Sequence, residues 1–189
     1  MYTEYFPGIV GYISNIQQEQ HIELIEKDID SGIYSWTNML TGSESEKPQL
    51  HNQKRRGYNI GLSVCSSLSP TAKVFENNLN NFCNQSLSQY SAKYGYWNLV
   101  PEGWVLLKYS IGDFFITHTD SSRRYPRQVS AVYYVNDNYI GGQLSFPYIG
   151  LTIKPKAGEL VIFPSTNLFS HQAEPVTDGI KYSLANWFN

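Results

Sequence analysis

The chain divides into an N-terminal stretch with helical spacing and a C-terminal stretch in which apolar and polar positions alternate. Apolar side chains recur every three or four positions between residues 13 and 29, which predicts one amphipathic helix ending at Ser31-Gly32. Residues 36–48 are polar and predict a surface loop, and residues 58–64 predict a strand. Pro70 opens a second predicted helix. Its apolar face comprises Ala72, Val74, Phe75, Leu79, Phe82 and Leu87.

From residue 104 the hydrophobic pattern changes to a period of two, which is typical of strands. About eight short segments follow one another between Gly, Pro, Asn and Asp turns, as in a β-sandwich or barrel. They lie near residues 105–109, 114–118, 128–135, 143–146, 151–153, 160–163, 171–176 and 181–188. The pattern predicts a mostly β fold with flanking helices (α+β). We expect a single domain over residues 1–189, in which residues 1–100 brace a β core formed by residues 101–189.

Composition excludes several classes of protein. Charged residues make up 16% of the chain and aromatic residues 15%, with 15 tyrosines, which argues against a disordered chain or a coiled coil. The formal net charge is −2, so the whole molecule carries no basic field that would attract nucleic acid.

The cysteines and the N-terminal segment bear on the cellular compartment. Cys65 and Cys83 form no CxxC pair, and we expect two free thiols in a reducing environment. Residues 1–8 lack the basic and apolar regions of a signal peptide, and no apolar run approaches the ~20 residues that cross a bilayer. We therefore expect a soluble, cytoplasmic protein with no membrane partner. The sequence does not constrain the oligomeric state.

A His-x-Asp tripeptide ends one of the predicted strands. Alternate strand residues project to one face, so His118 and Asp120 can bind a single ion. They would be two members of a two-histidine, one-carboxylate set, which leaves positions open on Fe(II). His171 also ends a strand and is the natural third ligand, whereas His21 lies in a predicted helix and His51 in a polar loop. Taken alone, such a tripeptide also fits ordinary core or surface positions.

Lys181 begins the last predicted strand, after a tight turn at residues 177–179. Lysine is rarely buried unless it is paired, so an inward-facing lysine here would indicate an anionic ligand. A lysine that faces solvent is the alternative at this point.

These residues belong to a longer ordered pattern. Residues 104–188 resemble the 2-oxoglutarate- and Fe(II)-dependent dioxygenases, specifically their prolyl 4-hydroxylase-like branch, in five blocks that occur in the correct order. One departure is Ala173, where the family often has valine. The matching blocks are the tyrosine–glycine–aromatic approach to H-x-D (109–120), R-x-x-[ST]-x-x-x-Y-[LV]-N (127–136), G-G-x-L-x-F (141–146), P-x-x-G-x-[LV]-[LV]-x-F (155–163) and H-x-V-x-P-V-x-x-G-x-[RK]-[YW]-[AS] (171–183).

The resemblance implies a double-stranded β-helix, the jelly roll of cupin-like proteins, and assigns roles to individual residues. His118, Asp120 and His171 would bind Fe(II). The cosubstrate 2-oxoglutarate would contact Lys181, Tyr134, Tyr109 and Ser183. Lys181 would hold the distal carboxylate by a charge-assisted hydrogen bond. For the two tyrosines, ordinary core packing with a satisfied hydroxyl is the alternative.

The activity implied by the resemblance is hydroxylation of a substrate C–H bond, with O2 as second cosubstrate and 2-oxoglutarate converted to succinate and CO2. A peptidyl proline is the leading substrate, and ascorbate is a candidate reductant. Alternatives are a free amino acid, another small molecule, a nucleic acid base, or an inactive jelly-roll binding module. The last strand lacks the paired arginines of the nucleic acid demethylases, so nucleic acid is disfavoured.

The sequence has two short basic clusters, of which one is a candidate for substrate contact. Arg123, Arg124 and Arg127 follow the His-x-Asp tripeptide and could steer an acidic or peptide substrate. The alternative is a solvated loop in which Arg127 is structurally paired. For Lys54-Arg55-Arg56 we predict a solvated surface run.

Overall fold

The computed structural model describes residues 2–16, 18–41, 50 and 52–189, without the side chains of residues 18–21. Three α-helices lie in this part of the chain: α1 (Gln18–Asp30), α2 (Leu62–Leu68) and α3 (Pro70–Tyr94). The strands are β1 (Tyr2–Phe6), β2 (Ile9–Ile13), β3 (Thr37–Asn38), β4 (Tyr58–Gly61), β5 (Val105–Tyr109), β6 (Phe115–His118), β7 (Val129–Tyr134), β8 (Ile140–Gly141), β9 (Leu144–Phe146), β10 (Leu151–Ile153), β11 (Glu159–Pro164), β12 (His171–Ala173), β13 (Val176–Asp178) and β14 (Lys181–Phe188).

The strands form two larger antiparallel sheets and one short two-stranded sheet. The major sheet has the order β1-β2-β11-β7-β14-β5-β4-β3, and the minor sheet has the order β10-β9-β12-β6. Strands β13 and β8 pair with each other. Neighbours in the major sheet are often far apart in sequence, as in a jelly roll. The mostly β fold with flanking helices, built on a double-stranded β-helix, is therefore confirmed.

The helices cover one face of the major sheet, and alternation along each strand decides which residues meet them. On β14, Leu184 and Phe188 join the buried cluster that includes Phe75 and Leu79 of α3. The alternate residues of β14, which are Lys181, Ser183, Ala185 and Trp187, line a pocket on the opposite face. This follows from the two-residue period of a strand. The helices thus brace the sheet from behind and leave its other face for the site.

Helix α3 has recognisable signals at both ends. Its N-cap, Ser69, accepts a hydrogen bond from the Ala72 backbone N–H, and Pro70 occupies the first helical turn. Gly95 closes the helix in a left-handed conformation with φ of 76°. The predicted second helix is confirmed, although Val74 is 53% exposed and does not belong to the buried face.

The N-terminal predictions were partly wrong. Ile13 ends β2 instead of opening a helix, because β2 pairs with β11 and places Ile13 opposite Glu159. Helix α1 therefore begins at Gln18. The predicted strand over 58–64 ends at Gly61, where the Leu62 backbone N–H donates to the Trp104 carbonyl and a short helix starts. In both cases a contact with a residue distant in sequence sets the end of the strand.

The predicted loop at residues 36–48 contains β3, which pairs with β4. Residues 42–48 of this loop lie outside the described residues. Cys65 and Cys83 are buried free cysteines, as expected. Within the described part of the chain, no helix is long and apolar enough to cross a membrane.

Candidate active site

The two histidines meet because their strands are neighbours in the minor sheet. His171 on β12 lies directly opposite His118 on β6, and their ring centroids are 4.4 Å apart. Asp120 follows β6 and reaches both rings, with 3.6 Å from His118 Nε2 to its Oδ1 and 3.6 Å from His171 Nε2 to its Oδ2. One donor atom from each residue lies within 4.8 Å of the others.

Hydrogen bonds fix which ring nitrogen of each histidine is available. His118 Nδ1 lies 2.9 Å from the Ile116 carbonyl oxygen, and His171 Nδ1 lies 3.2 Å from the Phe169 carbonyl oxygen. Each Nδ1–H therefore donates to a backbone oxygen, which leaves the Nε2 lone pair directed at the centre of the cluster. Two neutral imidazoles and one carboxylate are a donor set that fits Fe(II).

Asp120 is held in place by a serine of β7. The Ser130 hydroxyl donates to Asp120 Oδ2 at 2.6 Å, and Ser130 Oγ lies 2.7 Å from Ser165 Oγ. Burial raises the pKa of Asp120, but His171, His118 and the Ser130 hydroxyl outweigh it and hold the pKa well below its usual range. Asp120 is therefore an ionised carboxylate with a fixed orientation.

Lys181 begins β14 and is 2% exposed, which excludes the alternative of a solvent-facing lysine. Its Nζ donates to the Gly142 carbonyl at 2.6 Å. Burial lowers the pKa of Lys181 to about 7, although the charge of Glu174 opposes this shift. A buried amine with this pKa is strongly stabilised in its charged form by an anionic ligand.

Two of the predicted cosubstrate residues surround Lys181. Its Nζ lies 5.4 Å from the ring centroid of Tyr109 and 5.2 Å from that of Tyr134. Tyr109 is opposite Lys181 in the β5–β14 pairing, and Ser183 is opposite Tyr134 in the β7–β14 pairing. All four side chains line the same pocket as the metal-binding set. Their contact with 2-oxoglutarate stays a prediction.

This pocket is the natural place for a small anionic cosubstrate. Its empty volume is about 500 Å³ including its open mouth, and it lies between the two sheets. A pocket with convergent polar groups in a mostly apolar lining is typical of ligand sites.

Sequence reasoning missed two residues of the site. Tyr139 is 3% exposed, its ring centroid lies 5.9 Å from Lys181 Nζ, and its buried hydroxyl has no hydrogen-bond partner in the described part of the chain. Arg55 lines the pocket, whereas we predicted a solvated surface position. Neither residue belongs to a periodic strand pattern, so no local signal marks it.

The other basic residues occupy different places. Arg127 lies beside the pocket, with its guanidinium bound to Glu102 and stacked 4.0 Å from the Trp187 ring. Arg123 and Arg124 are exposed on the turn before it. None of these three lines the pocket, and their role in substrate binding stays a prediction. His51 lies outside the described residues, as does the side chain of His21.

The C-terminal part of the chain is similar to a known family. Residues 104–189 match the sequence model of the 2OG-Fe(II) oxygenase superfamily. A PKHD-type hydroxylase of Cupriavidus metallidurans is 33% identical over 92 residues, covering 42% of this chain and 40% of that relative. Human prolyl 3-hydroxylase 2 is 34% identical over 67 residues, covering 33% of this chain and 10% of that protein. The chain thus spans less than half the length of these relatives.

Solved structures resemble the fold over nearly the whole chain. A Trichoplax adhaerens prolyl hydroxylase in complex with a hypoxia inducible factor peptide superimposes with a TM-score of 0.74 and 18% identity, covering 96% of this chain and 83% of that one. A Pseudomonas putida prolyl-4-hydroxylase gives a TM-score of 0.63 and 20% identity, with coverage of 96% and 92%. Both likenesses concern the fold. The family match, the ordered sequence blocks and the His-Asp-His cluster agree that residues 104–189 resemble the 2OG-Fe(II) oxygenase superfamily, including its prolyl hydroxylases.

Proposed function

We propose that this protein is a 2-oxoglutarate- and Fe(II)-dependent dioxygenase that hydroxylates a prolyl residue of a peptide or protein. The observation that carries the proposal is the convergence of two kinds of group in one pocket. His118, Asp120 and His171 supply metal donors, and the buried Lys181 supplies a cation for a dicarboxylate. Coupled substrate hydroxylation and oxidative decarboxylation of 2-oxoglutarate with O2 is the chemistry that a bound iron supplies.

The residues around the metal site would hold the ion without using all its coordination positions. Three protein donors are too few to saturate a six-coordinate ion, so positions remain for 2-oxoglutarate and O2. The Nδ1 hydrogen bonds of His118 and His171, and the Ser130 bond to Asp120, keep the donors oriented before the metal arrives. The protein's contribution is to position and shield the reaction.

Lys181 would bind the distal carboxylate of 2-oxoglutarate and select its length. Lysine is a point donor and cannot form the bidentate fork of arginine, so neighbouring hydroxyls gain importance. Tyr134, Tyr109 and Ser183 line the same wall and would supply them. Because the wall is buried, an ammonium left without its anion there is costly. This cost favours a dicarboxylate over a monocarboxylate.

A proline-containing peptide is the substrate class that the comparisons support. Prolyl hydroxylases occur among both the curated relatives and the structural neighbours, and one neighbour was solved with a peptide bound. Ascorbate is proposed as a reductant that keeps the iron in its Fe(II) state.

The test is peptide oxidation by the full chain. Purified protein is incubated with Fe(II), 2-oxoglutarate, O2, ascorbate and a pool of proline-containing peptides, and products are identified by mass spectrometry. We expect peptides that carry one added oxygen atom on proline, and none with the Asp120→Ala protein. Oxygen added to free amino acids or to other residues instead would contradict prolyl hydroxylation, and a protein that binds peptide without oxidising it would be a binding module.

A further inference from the structure

Arg55 is fixed at the pocket wall by backbone pairing. Its segment runs alongside the start of β6, where Arg55 forms an isolated bridge with Phe115. The Ile116 backbone N–H donates to the Lys54 carbonyl at 2.9 Å, and the Arg56 N–H donates to the Phe114 carbonyl at 2.9 Å. The arginine is therefore held against the strand that carries His118.

Two ring contacts connect the guanidinium of Arg55 to the metal-binding residue His118. Its Cζ lies 4.2 Å from the ring centroid of Phe115. The Phe115 ring in turn stacks on the His118 imidazole, with centroids 3.6 Å apart and planes 18° from parallel. Stacking on an aromatic face restricts a guanidinium to one plane while leaving its edge donors available.

The donors of Arg55 are poorly satisfied. Its Nε is buried and has no hydrogen-bond partner in the described part of the chain. Its Nη1 makes one long contact of 3.4 Å to the Leu40 carbonyl, and no carboxylate of the described residues forms an ion pair with it. A guanidinium has five N–H donors and stays charged, and leaving a buried donor unpaired is costly.

Two other arginines differ from Arg55 in their hydrogen-bond partners and in their position relative to the pocket. Arg127 also lies near the pocket, but its Nε and Nη2 donate to the two carboxylate oxygens of Glu102 at 2.8 and 2.5 Å. Arg56 donates to the Gly112 carbonyl, stacks near Phe114 and does not line the pocket. Among these three, Arg55 alone combines a place in the pocket wall with no carboxylate partner in the described residues.

Arg55 and Lys181 occupy different parts of the wall. Lys181 lies among the rings of Tyr109, Tyr134 and Tyr139, whereas Arg55 lies on Phe115. Among the described residues, a 2-oxoglutarate carboxylate bound by Lys181 leaves the charge of Arg55 without a carboxylate partner. The substrate that is hydroxylated is a molecule that can supply one.

We propose that Arg55 is a specificity-determining residue that binds a carboxylate of the substrate close to the carbon that is hydroxylated. The inference rests on the proposed function and adds a substrate class: peptides with an acidic residue, or a free C-terminal carboxylate, next to the target proline. A planar guanidinium suits a planar carboxylate because two parallel N–H···O bonds form at once.

The experiment measures peptide binding separately from turnover. Fluorescein-labelled peptides of the form Gly-Ala-Pro-Xaa-Gly, blocked at the C-terminus, carry Glu, Gln or Lys at Xaa. A fourth peptide ends directly after proline with a free carboxylate. Binding is followed by anisotropy to protein loaded with Mn(II) and N-oxalylglycine. The variants are Arg55→Gln and Arg55→Glu, with Arg56→Glu as a control that changes the same net charge outside the pocket.

We expect the wild-type protein to bind the Glu peptide or the free-carboxylate peptide about 10- to 100-fold more tightly than the Gln peptide, the range for one charge-assisted contact. Comparison of the two acidic peptides identifies the source of the carboxylate. Arg55→Gln should abolish the preference for the acidic peptides. Arg55→Glu should instead favour the Lys peptide, and Arg56→Glu should keep the wild-type preference.

The inference and the proposed function fail in different ways. Equal affinity for all four peptides, or the same preference in Arg55→Gln as in wild type, would overturn the role of Arg55. A weaker N-oxalylglycine affinity in Arg55→Gln with unchanged peptide preference would also overturn it, since Arg55 would then serve the cosubstrate. Absence of 2-oxoglutarate turnover by the wild-type protein with every peptide would instead count against the proposed function.

Discussion

At the scale of single residues, the site depends on side chains whose charge and orientation are set by burial. Lys181 is the clearest example, because burial lowers its pKa to about 7 while its function requires a positive charge. Before 2-oxoglutarate binds, the ammonium is present mainly below this pKa, and the neutral amine dominates above it. The cosubstrate dianion favours the ammonium, so binding and protonation are coupled.

This coupling predicts a pH-dependent affinity. The dissociation constant for 2-oxoglutarate, measured by anaerobic titration of the Mn(II) protein, should be lowest below about pH 7 and rise as pH increases through that value. The Lys181→Arg protein keeps its charge throughout the range. Its affinity should therefore stay nearly constant over the same interval, and a flat profile for the wild-type protein would contradict a titrating Lys181.

A second residue-scale prediction concerns Ser130, which donates to Asp120 Oδ2 at 2.6 Å. Removing such a hydrogen bond to a ligating carboxylate usually costs about 10- to 100-fold in metal affinity. We expect this loss in Ser130→Ala when Mn(II) binding is measured by calorimetry. Ser165→Ala is the matched control, because Ser165 contacts the Ser130 hydroxyl and not Asp120. Equal losses in both variants would mean that packing, not carboxylate orientation, is responsible.

Local sequence reasoning reached part of the site. Local patterns indicated His118, Asp120 and Lys181. Strand alternation places His118 and Asp120 on one face, and a lysine in an apolar strand is unusual because lysine is rarely buried. Arg55 could not be found in this way, since its environment is made by Phe115, 60 positions along the chain by residue number. Tyr139 was missed for a similar reason, because its neighbour Lys181 lies on the distant strand β14.

At the scale of elements, one half-buried carboxylate joins helix α1 to the major sheet. Glu26 of α1 accepts hydrogen bonds from Lys108 Nζ at 2.7 Å, from Trp36 Nε1 at 3.2 Å and from the Tyr182 hydroxyl. Burial raises the pKa of Glu26, but Lys108, Tyr182 and Trp36 together lower it. Glu26 therefore stabilises the brace mainly in its ionised form.

Replacing Glu26 should weaken the contact between α1 and the major sheet and so lower the free energy of unfolding. Glu26→Ala leaves Lys108 and Tyr182 without their acceptor, and we expect a loss of about 2–3 kcal/mol in the free energy of unfolding measured with urea. Glu23→Ala, which alters an exposed position of the same helix, should change it by less than about 0.5 kcal/mol. Similar losses in both variants would show that helix propensity, rather than the contact to the sheet, sets the effect.

Elements were predicted well where their own residues determine them, and poorly where a distant partner does. The start of helix α3 at Pro70 was predicted, because the signals at its ends, Ser69 and Gly95, lie within its own segment. The position of β2 in the sheet could not be predicted locally, because it depends on pairing with β11, which is about 150 positions away along the chain. The same limit applies to Ile13, which fitted a helical period and yet ends a strand.

At the scale of the whole molecule, the two faces of the major sheet divide stability from chemistry. Residues that face the helices are apolar and closely packed, as Leu184 and Phe188 are. Residues that face the minor sheet include Lys181, Ser183 and Trp187, which line the pocket. The alternation of one strand thus serves both the core and the site. That residues 1–189 form one domain remains a prediction.

The most direct test of the central claim is succinate formation from 2-oxoglutarate by the full chain, with Fe(II), O2 and the proline-containing peptide pool. We predict metal-dependent succinate release by the wild-type protein and none by Asp120→Ala, with an unfolding midpoint for the variant that shows it is folded. A normal rate in a folded Asp120→Ala protein would contradict the His118–Asp120–His171 assignment. A wild-type protein that releases no succinate and binds no 2-oxoglutarate in the presence of metal would contradict the account as a whole.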